Sequence, residues 1–330
     1  MNINLLTEKL ERTQRILYIK LGTKKIGWEK DCIENGRISV GFQMQVPEVL
    51  KYLKSKDYDL LKTFWKEKGY GKATPTTFVN QMVRFYEDDG NTLWVTFANE
   101  RMYYCFSDGG QIDNTKEPTF RKTDENGWMW KDIKGNELSI YSLSSALTKT
   151  RATQNTIPDS FKGRDIQKYI KRKILGLPFE PLKRASLTKD PKDLKELIKI
   201  LHQDVFELLI EIIFSKTEWL RLSSTGGNQK TIDFAIRDFQ AKTEAFVQVK
   251  TKANQKGENG FVDYVKSLIN SPYKKMFFIY HSGSVILDSD IEELLRVEEK
   301  EVEVWDLDRV YMEVCKYNLH EWILYAAQRY

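Results

Sequence analysis

Two domains of mixed α and β structure are what this sequence predicts, α+β in the first half and α/β in the second. Short β-type runs broken by turn residues fill much of residues 20–141. From residue 191 on, helical stretches alternate with apolar strands, the pattern of a sheet with helices on both faces. The 330 residues, 41% of them apolar, suffice for two cores.

Leu5–Tyr18 reads as a short helix or arm. Lys25–Trp28 and Arg37–Phe42 read as strands around the Glu34-Asn35-Gly36 turn. Val46–Lys68 is helical by its apolar spacing at Val49, Leu50, Leu53, Leu60, Leu61 and Phe64. Pro75-Thr76-Thr77 opens another helix through Phe85, with Thr74 or Thr76 as cap. Four strand runs follow, Asn91–Phe97, Arg101–Phe106, Gly127–Ile133 and Glu137–Tyr141. They predict a small mixed sheet or barrel with inserted helices, closed by the hydroxyl-rich and basic stretch Ser142–Arg151.

Residues 156–190 hold Pro158, Pro178 and Pro181 with Lys171-Arg172-Lys173 and Lys183-Arg184. They read as a basic linker around a short helix, Ile166–Leu175. A long helix starts near Asp190-Pro191 and runs to about Phe214, with Leu194, Leu197, Ile198, Leu201, Val205, Leu208, Leu209 and Ile212 on its apolar face. Ile232–Ile236 and Ala245–Lys250 read as a hairpin. Phe261–Ile269 is a helix, Lys275–His281 a buried strand, Asp288–Glu299 an acidic helix, Val302–Asp306 a strand, and Leu307–Tyr330 ends in helix.

The hairpin carries polar groups where a buried strand should have none. Asp233 sits among Ile232, Phe234 and Ile236. Gln248 and Lys250 flank Val249, so strand alternation turns both to one face. Buried charges are costly unless paired or bound to a metal. Phosphodiester hydrolysis gives a reason to keep them. Asp233, the Gln248 side-chain carbonyl and the Val249 main-chain carbonyl supply oxygens of the kind Mg²⁺ prefers. The ion would polarise the phosphate and acidify a water. Lys250 would stabilise developing charge or orient that water. Taken singly, Asp233 also fits a turn cap, and Lys250 a solvated edge residue before Thr251 and Lys252.

Phe206-Glu207 on a helix, then Gly226-Gly227, Ile232-Asp233 and Gln248-Val249-Lys250, resemble the PD-(D/E)XK nuclease core. They are most similar to its Mrr-type restriction endonuclease branch, which often has glutamine in place of the second acid. The resemblance covers roughly residues 192–312. It implies Asp233, Gln248, Val249 and Glu207 as metal ligands and Lys250 as the catalytic lysine. Glu211, one turn after Glu207, is a rival for the helix carboxylate. Asn228-Gln229-Lys230-Thr231 departs from the family's usual Gly-Asp-x-Gly-Ile-Asp turn.

Aromatics crowd the first 130 residues: Trp28, Trp65, Trp94, Tyr103, Tyr104, Phe106, Trp128 and Trp130. At strand spacing most aromatics are core, yet a flipped base needs such faces to stack on. The order of a strand with Trp28, the Ile38–Phe42 strand, a helix carrying Asn80–Phe85, then Leu93–Phe97 and Tyr103–Phe106, resembles the PUA-like fold over residues 20–155. It is similar to the EVE and YTH branches, which grip a modified base in an aromatic cage. Trp28 and Trp94, with Trp128 or Trp130 as a third wall, are the base-pocket residues this implies.

The boundaries so read are a recognition domain at 1–155, a basic linker at 156–190 and a nuclease domain at 191–330. From Lys149 to Lys199 there are 14 basic against 6 acidic residues, net +8, so the rest of this +5 chain carries −3. A basic segment beside a nuclease core suits phosphate contact. Cys32, Cys105 and Cys315 form no metal or disulfide spacing. The charged N-terminus and the lack of a ~20-residue apolar run lead us to expect a cytoplasmic protein with no membrane span. The expected partner is double-stranded DNA, with or without base modification, bound by a homodimer with Mg²⁺. A non-cleaving reader of modified nucleic acid and an RNA-directed nuclease are the alternatives.

Overall fold

A computed structural model describes residues 3–22, 27–69, 73–159, 161, 163–188, 190–222, 232–257 and 260–329. The glycine turn at 226–227 and the Asn228–Thr231 departure lie outside the described residues, as do Lys25 and Ile26 of the first expected strand. The chain is mixed α and β and divides into two compact units, Met1–Leu177 and Pro178–Tyr330.

The first unit runs α1 (Ile3–Arg12), β1 (Arg15–Tyr18), α2 (Trp28–Glu34), β2 (Arg37–Val40), α3 (Pro47–Ser55), α4 (Tyr58–Glu67), α5 (Ala73–Tyr86), β3 (Thr92–Ala98), β4 (Arg101–Phe106), β5 (Thr119–Lys122), α6 (Ser145–Thr148) and α7 (Arg164–Ile174). Strand β3 lies between β1, parallel to it, and β4, antiparallel. Strands β2 and β5 form a separate antiparallel pair. Among the described residues no sheet closes into a barrel, so the expected barrel is replaced by two small sheets joined by isolated bridges. The runs at 127–133 and 137–141 contribute single bridges, not ladders. The Asp132 carboxylate explains part of this. It accepts from the Lys134 and Asn136 main-chain N–H groups and from the Asn136 amide, and so competes with a ladder there. Trp28 opens a helix rather than ending a strand, with Glu29 and Asp31 in a first turn where negative charge is favoured.

The second unit begins with α8 (Glu180–Thr188), α9 (Pro191–Ile200) and α10 (Gln203–Phe214). The segment expected as a linker is shared out: Ile170 and Ile174 of α7 are buried in the first unit, and Ala185 of α8 in the second. The expected long helix breaks at Leu201, whose ψ of 129° is extended. After the break the buried stripe is Phe206, Leu209, Ile210 and Ile213, while Leu208 is exposed. The break rotates the stripe by about one residue, a phase that a continuous helix could not adopt.

The sheet follows as β6 (Trp219–Arg221), β7 (Phe234–Asp238), β8 (Thr243–Lys250), α11 (Phe261–Ile269), β9 (Lys275–Tyr280), α12 (Ser289–Val297), β10 (Glu301–Trp305), α13 (Leu307–Lys316) and α14 (His320–Ala327). Its order is β10-β9-β8-β7-β6, with β8, β9 and β10 parallel and β6 and β7 antiparallel. Alternation divides the side chains cleanly. Val247, Val249, Phe277 and Ile279 pack on the face shared with α9, α10, α13 and α14. Phe246, Met276, Phe278 and Tyr280 pack on the face shared with α11 and α12. Among the described residues no helix is long and apolar enough to cross a membrane.

Candidate active site

Asp233 stands one residue before β7, at the point where pairing with β8 is running out. Its own N–H still donates to the Val247 carbonyl. Its Oδ2 then accepts the Val249 N–H at 2.6 Å and the Gln248 Nε2 at 2.6 Å. The carboxylate therefore replaces a missing strand partner. Burial drives its pKa up to about 6; the Val249 N–H opposes that rise, Glu207 adds to it, and Lys250 and Gln248 pull it down. Glu207 and Lys250 thus both lie close enough to bias the charge on Asp233.

Gln248 is 1% exposed. Its Nε2 must face Asp233, because a flipped amide would set oxygen against oxygen. That leaves Oε1 buried with no hydrogen-bond partner among the described residues. An unpartnered acceptor in a buried site is costly, and a cation or its water would satisfy it. The donor set fits a hard ion: Asp233 Oδ1, Gln248 Oε1, the Val249 carbonyl and the free side of the Glu207 carboxylate. Among the described residues no three Asp, Glu, His or Cys side chains gather as a metal cage, so this set depends on neutral oxygens.

Lys250 is half-buried on the same face of β8 as Gln248, with Nζ 5.1 Å from the Tyr264 ring centroid. Among the described residues no carboxylate lies within ion-pair distance of it, which leaves its charge available to a phosphate. Tyr264, almost fully buried on α11, also has a hydroxyl without a partner among the described residues. The rivalry on α10 resolves by contacts. Glu211 is paired with Arg221 at 2.7 Å, whereas Glu207 faces β8 through Gln203. Sequence reasoning passed over Gln203 and Tyr264. The i,i+4 spacing of Gln203 to Glu207 was the available signal for the first; nothing marked Tyr264 apart from its apolar neighbours.

The four tryptophans do not make one cage. Trp94 is fully buried and donates its indole N–H to Asp88 at 2.7 Å, so it presents no face to a base. Trp128 is 7% exposed and donates to the Arg37 carbonyl. Trp130 is partly buried, with Arg101 at 4.6 Å and Lys131 at 4.7 Å from its ring. Trp128 and Trp130 line a shallow cleft of about 370 Å³ together with Lys131 and Asp132. Trp28 packs on the same buried cluster as the other three but does not line that cleft; its ring lies against the main chain of Gly41, where an added Cβ would come within 3.1 Å of it. The basic segment is also partly used internally. Lys171 donates to the Glu11 and Thr13 carbonyls and Lys173 to that of Ser142, and Arg184 pairs with Asp193 and Glu196.

Comparison with known proteins brings no relative to this site: no family model matches the chain, and no curated protein or solved structure does.

Proposed function

We propose that the chain is a Mg²⁺-dependent DNA endonuclease of restriction type, with an Mrr-like PD-(D/E)XK unit at 191–330 and a PUA-like recognition unit at 1–155. The observation that carries the reading is the Asp233 carboxylate, held by Gln248 and Val249 and biased in opposite directions by Glu207 and Lys250. Asp233, Gln248, Val249 and Glu207 would hold the ion, which supplies polarisation of the phosphate and a more acidic water. Gln248 Nε2 and the Val249 N–H fix one oxygen of Asp233, and the other would be the one to ligate the ion. Lys250, which has no carboxylate partner among the described residues, stabilises charge developing on the phosphate. A double-strand cut needs two such centres, hence a homodimer on DNA.

A second reading, a non-cleaving reader of modified nucleic acid, is favoured by one feature: the neutral Gln248 stands where a second acid would bind the ion more tightly. Incubation with Mg²⁺ and methylated or unmethylated plasmid, beside Asp233→Ala and Lys250→Ala, separates the two. Cutting by the wild type and not by the variants supports hydrolysis at this site. Tight binding without cutting supports the reader, and cutting that survives both substitutions removes the site.

A further inference from the structure

We propose that Gln203 is the positioning residue that sets Glu207 against the end of β8; the inference rests on the hydrolytic reading above. Strand β7 begins at Phe234, so on the β7 side the last main-chain groups of β8 have no strand to pair with, while β9 pairs its other side through Lys250. Groups at positions 249 and 251 point to the same neighbour, because a strand repeats every two residues. Asp233 takes the Val249 N–H. Gln203 takes the rest: its Nε2 donates to the Val249 carbonyl at 2.7 Å, and its Oε1 accepts the Thr251 N–H at 3.0 Å. The second N–H of the same amide reaches Glu207 Oε1 at 2.7 Å. Three of the four hydrogen bonds an amide can make are thus in use, and all three partners agree on its orientation.

One side chain therefore ties three parts of the candidate ion site together: the helix carboxylate, the main-chain carbonyl ligand and the start of the segment after Lys250. Without it, Glu207 keeps its place on α10 but loses its registration on β8, and the Val249 carbonyl loses the group that orients it. The break between α9 and α10 serves this arrangement, because it sets the helical phase in which Gln203 and Glu207 share one stripe facing β8.

The test uses the full chain with Gln203→Met, which keeps length and bulk but no hydrogen bonds, and Gln203→Asn, which keeps the amide but is one carbon short. Mn²⁺ binding is measured by calorimetry, and plasmid cutting is followed against Mg²⁺ concentration. Both variants are expected to bind Mn²⁺ about tenfold more weakly than the wild type. Their Mg²⁺ half-saturation rises by a similar factor, while the rate at saturating Mg²⁺ stays within a few-fold. Variants that lose only thermal stability, with folded protein binding Mn²⁺ like the wild type, overturn the inference alone. A wild type that neither binds Mn²⁺ nor cuts overturns the hydrolytic reading and this inference with it.

Discussion

Asp233 Oδ2 and Gln248 Nε2 stand 2.6 Å apart, as close as the Val249 N–H on the same oxygen. The contact stabilises an ionised carboxylate, yet burial outweighs it and holds the pKa at about 6 against an ordinary 3.8. The folded chain therefore keeps a proton on Asp233 between those values that the unfolded chain has released. Stability falls as pH rises through that window, and near pH 7 the cost is on the order of 3 kcal/mol. Asp233→Asn, in the absence of divalent ions, is expected to melt several degrees higher than the wild type at pH 8 and to differ little at pH 3.5. Thermal melts across that range measure it; equal melting curves at pH 8 would show that the carboxylate is not strained by burial. The same variant is expected to lose cutting.

Lys250 gives a cleaner separation of chemistry from fold. It is half-buried and rests on the Tyr264 ring, so its removal breaks no buried ion pair among the described residues. Lys250→Met is expected to cut DNA about 10²–10³-fold more slowly, the usual cost of losing one group that stabilises transition-state charge. Its melting temperature should stay close to that of the wild type. A rate within tenfold of wild type would move the catalytic charge to another residue.

The tryptophans divide in the same way between core and surface. Trp94→Phe removes the indole N–H that Asp88 accepts and leaves a buried acid short of a donor, a loss of about 1–3 kcal/mol. Trp28→Ala, at a partly exposed ring, is expected to spare the fold while reducing any preference for modified DNA. Chemical denaturation measures the first and competition binding with methylated and unmethylated duplexes the second. An unchanged preference excludes Trp28 as a wall of the pocket.

What could be read in the sequence follows from how local each signal is. The hairpin, the buried strand at Lys275–Tyr280 and the helix at Phe261–Ile269 are set by patterns within ten residues and form close to where the pattern puts them, whereas the expected helix Leu307–Tyr330 divides into Leu307–Lys316 and His320–Ala327. The pairing of Asp233 with Gln248 was also legible, because two strands joined by a short turn fix their own register. The long helix was not, because its apolar spacing continues through Leu201 and only packing on the sheet selects the shifted phase. Trp94 shows the same limit from the other side. A ring at strand spacing fits a cage or a core equally well, and Asp88, six residues earlier, decides for the core.

His281 supplies a last prediction, opposite in sign to that for Asp233. It is 5% exposed at the end of β9, edge-on to the Phe206 ring at 4.7 Å, and burial lowers its pKa to about 4 from an ordinary 6.5. Between those values the unfolded chain holds a proton that the folded chain refuses, so stability is lost as pH falls. Between about pH 4 and 6 the two linkages oppose each other, one proton each way, and the wild-type melting temperature should be nearly independent of the pair. His281→Gln removes one side of the balance, so its stability relative to wild type should decline as pH rises from 4 to 6, by an amount approaching 1.4 kcal/mol per pH unit. Asp233→Asn should tilt the other way, and the double variant should restore the flat profile. Denaturant unfolding at pH 4, 5 and 6 measures all four chains, and parallel profiles for the single variants would show that neither group titrates differently on folding.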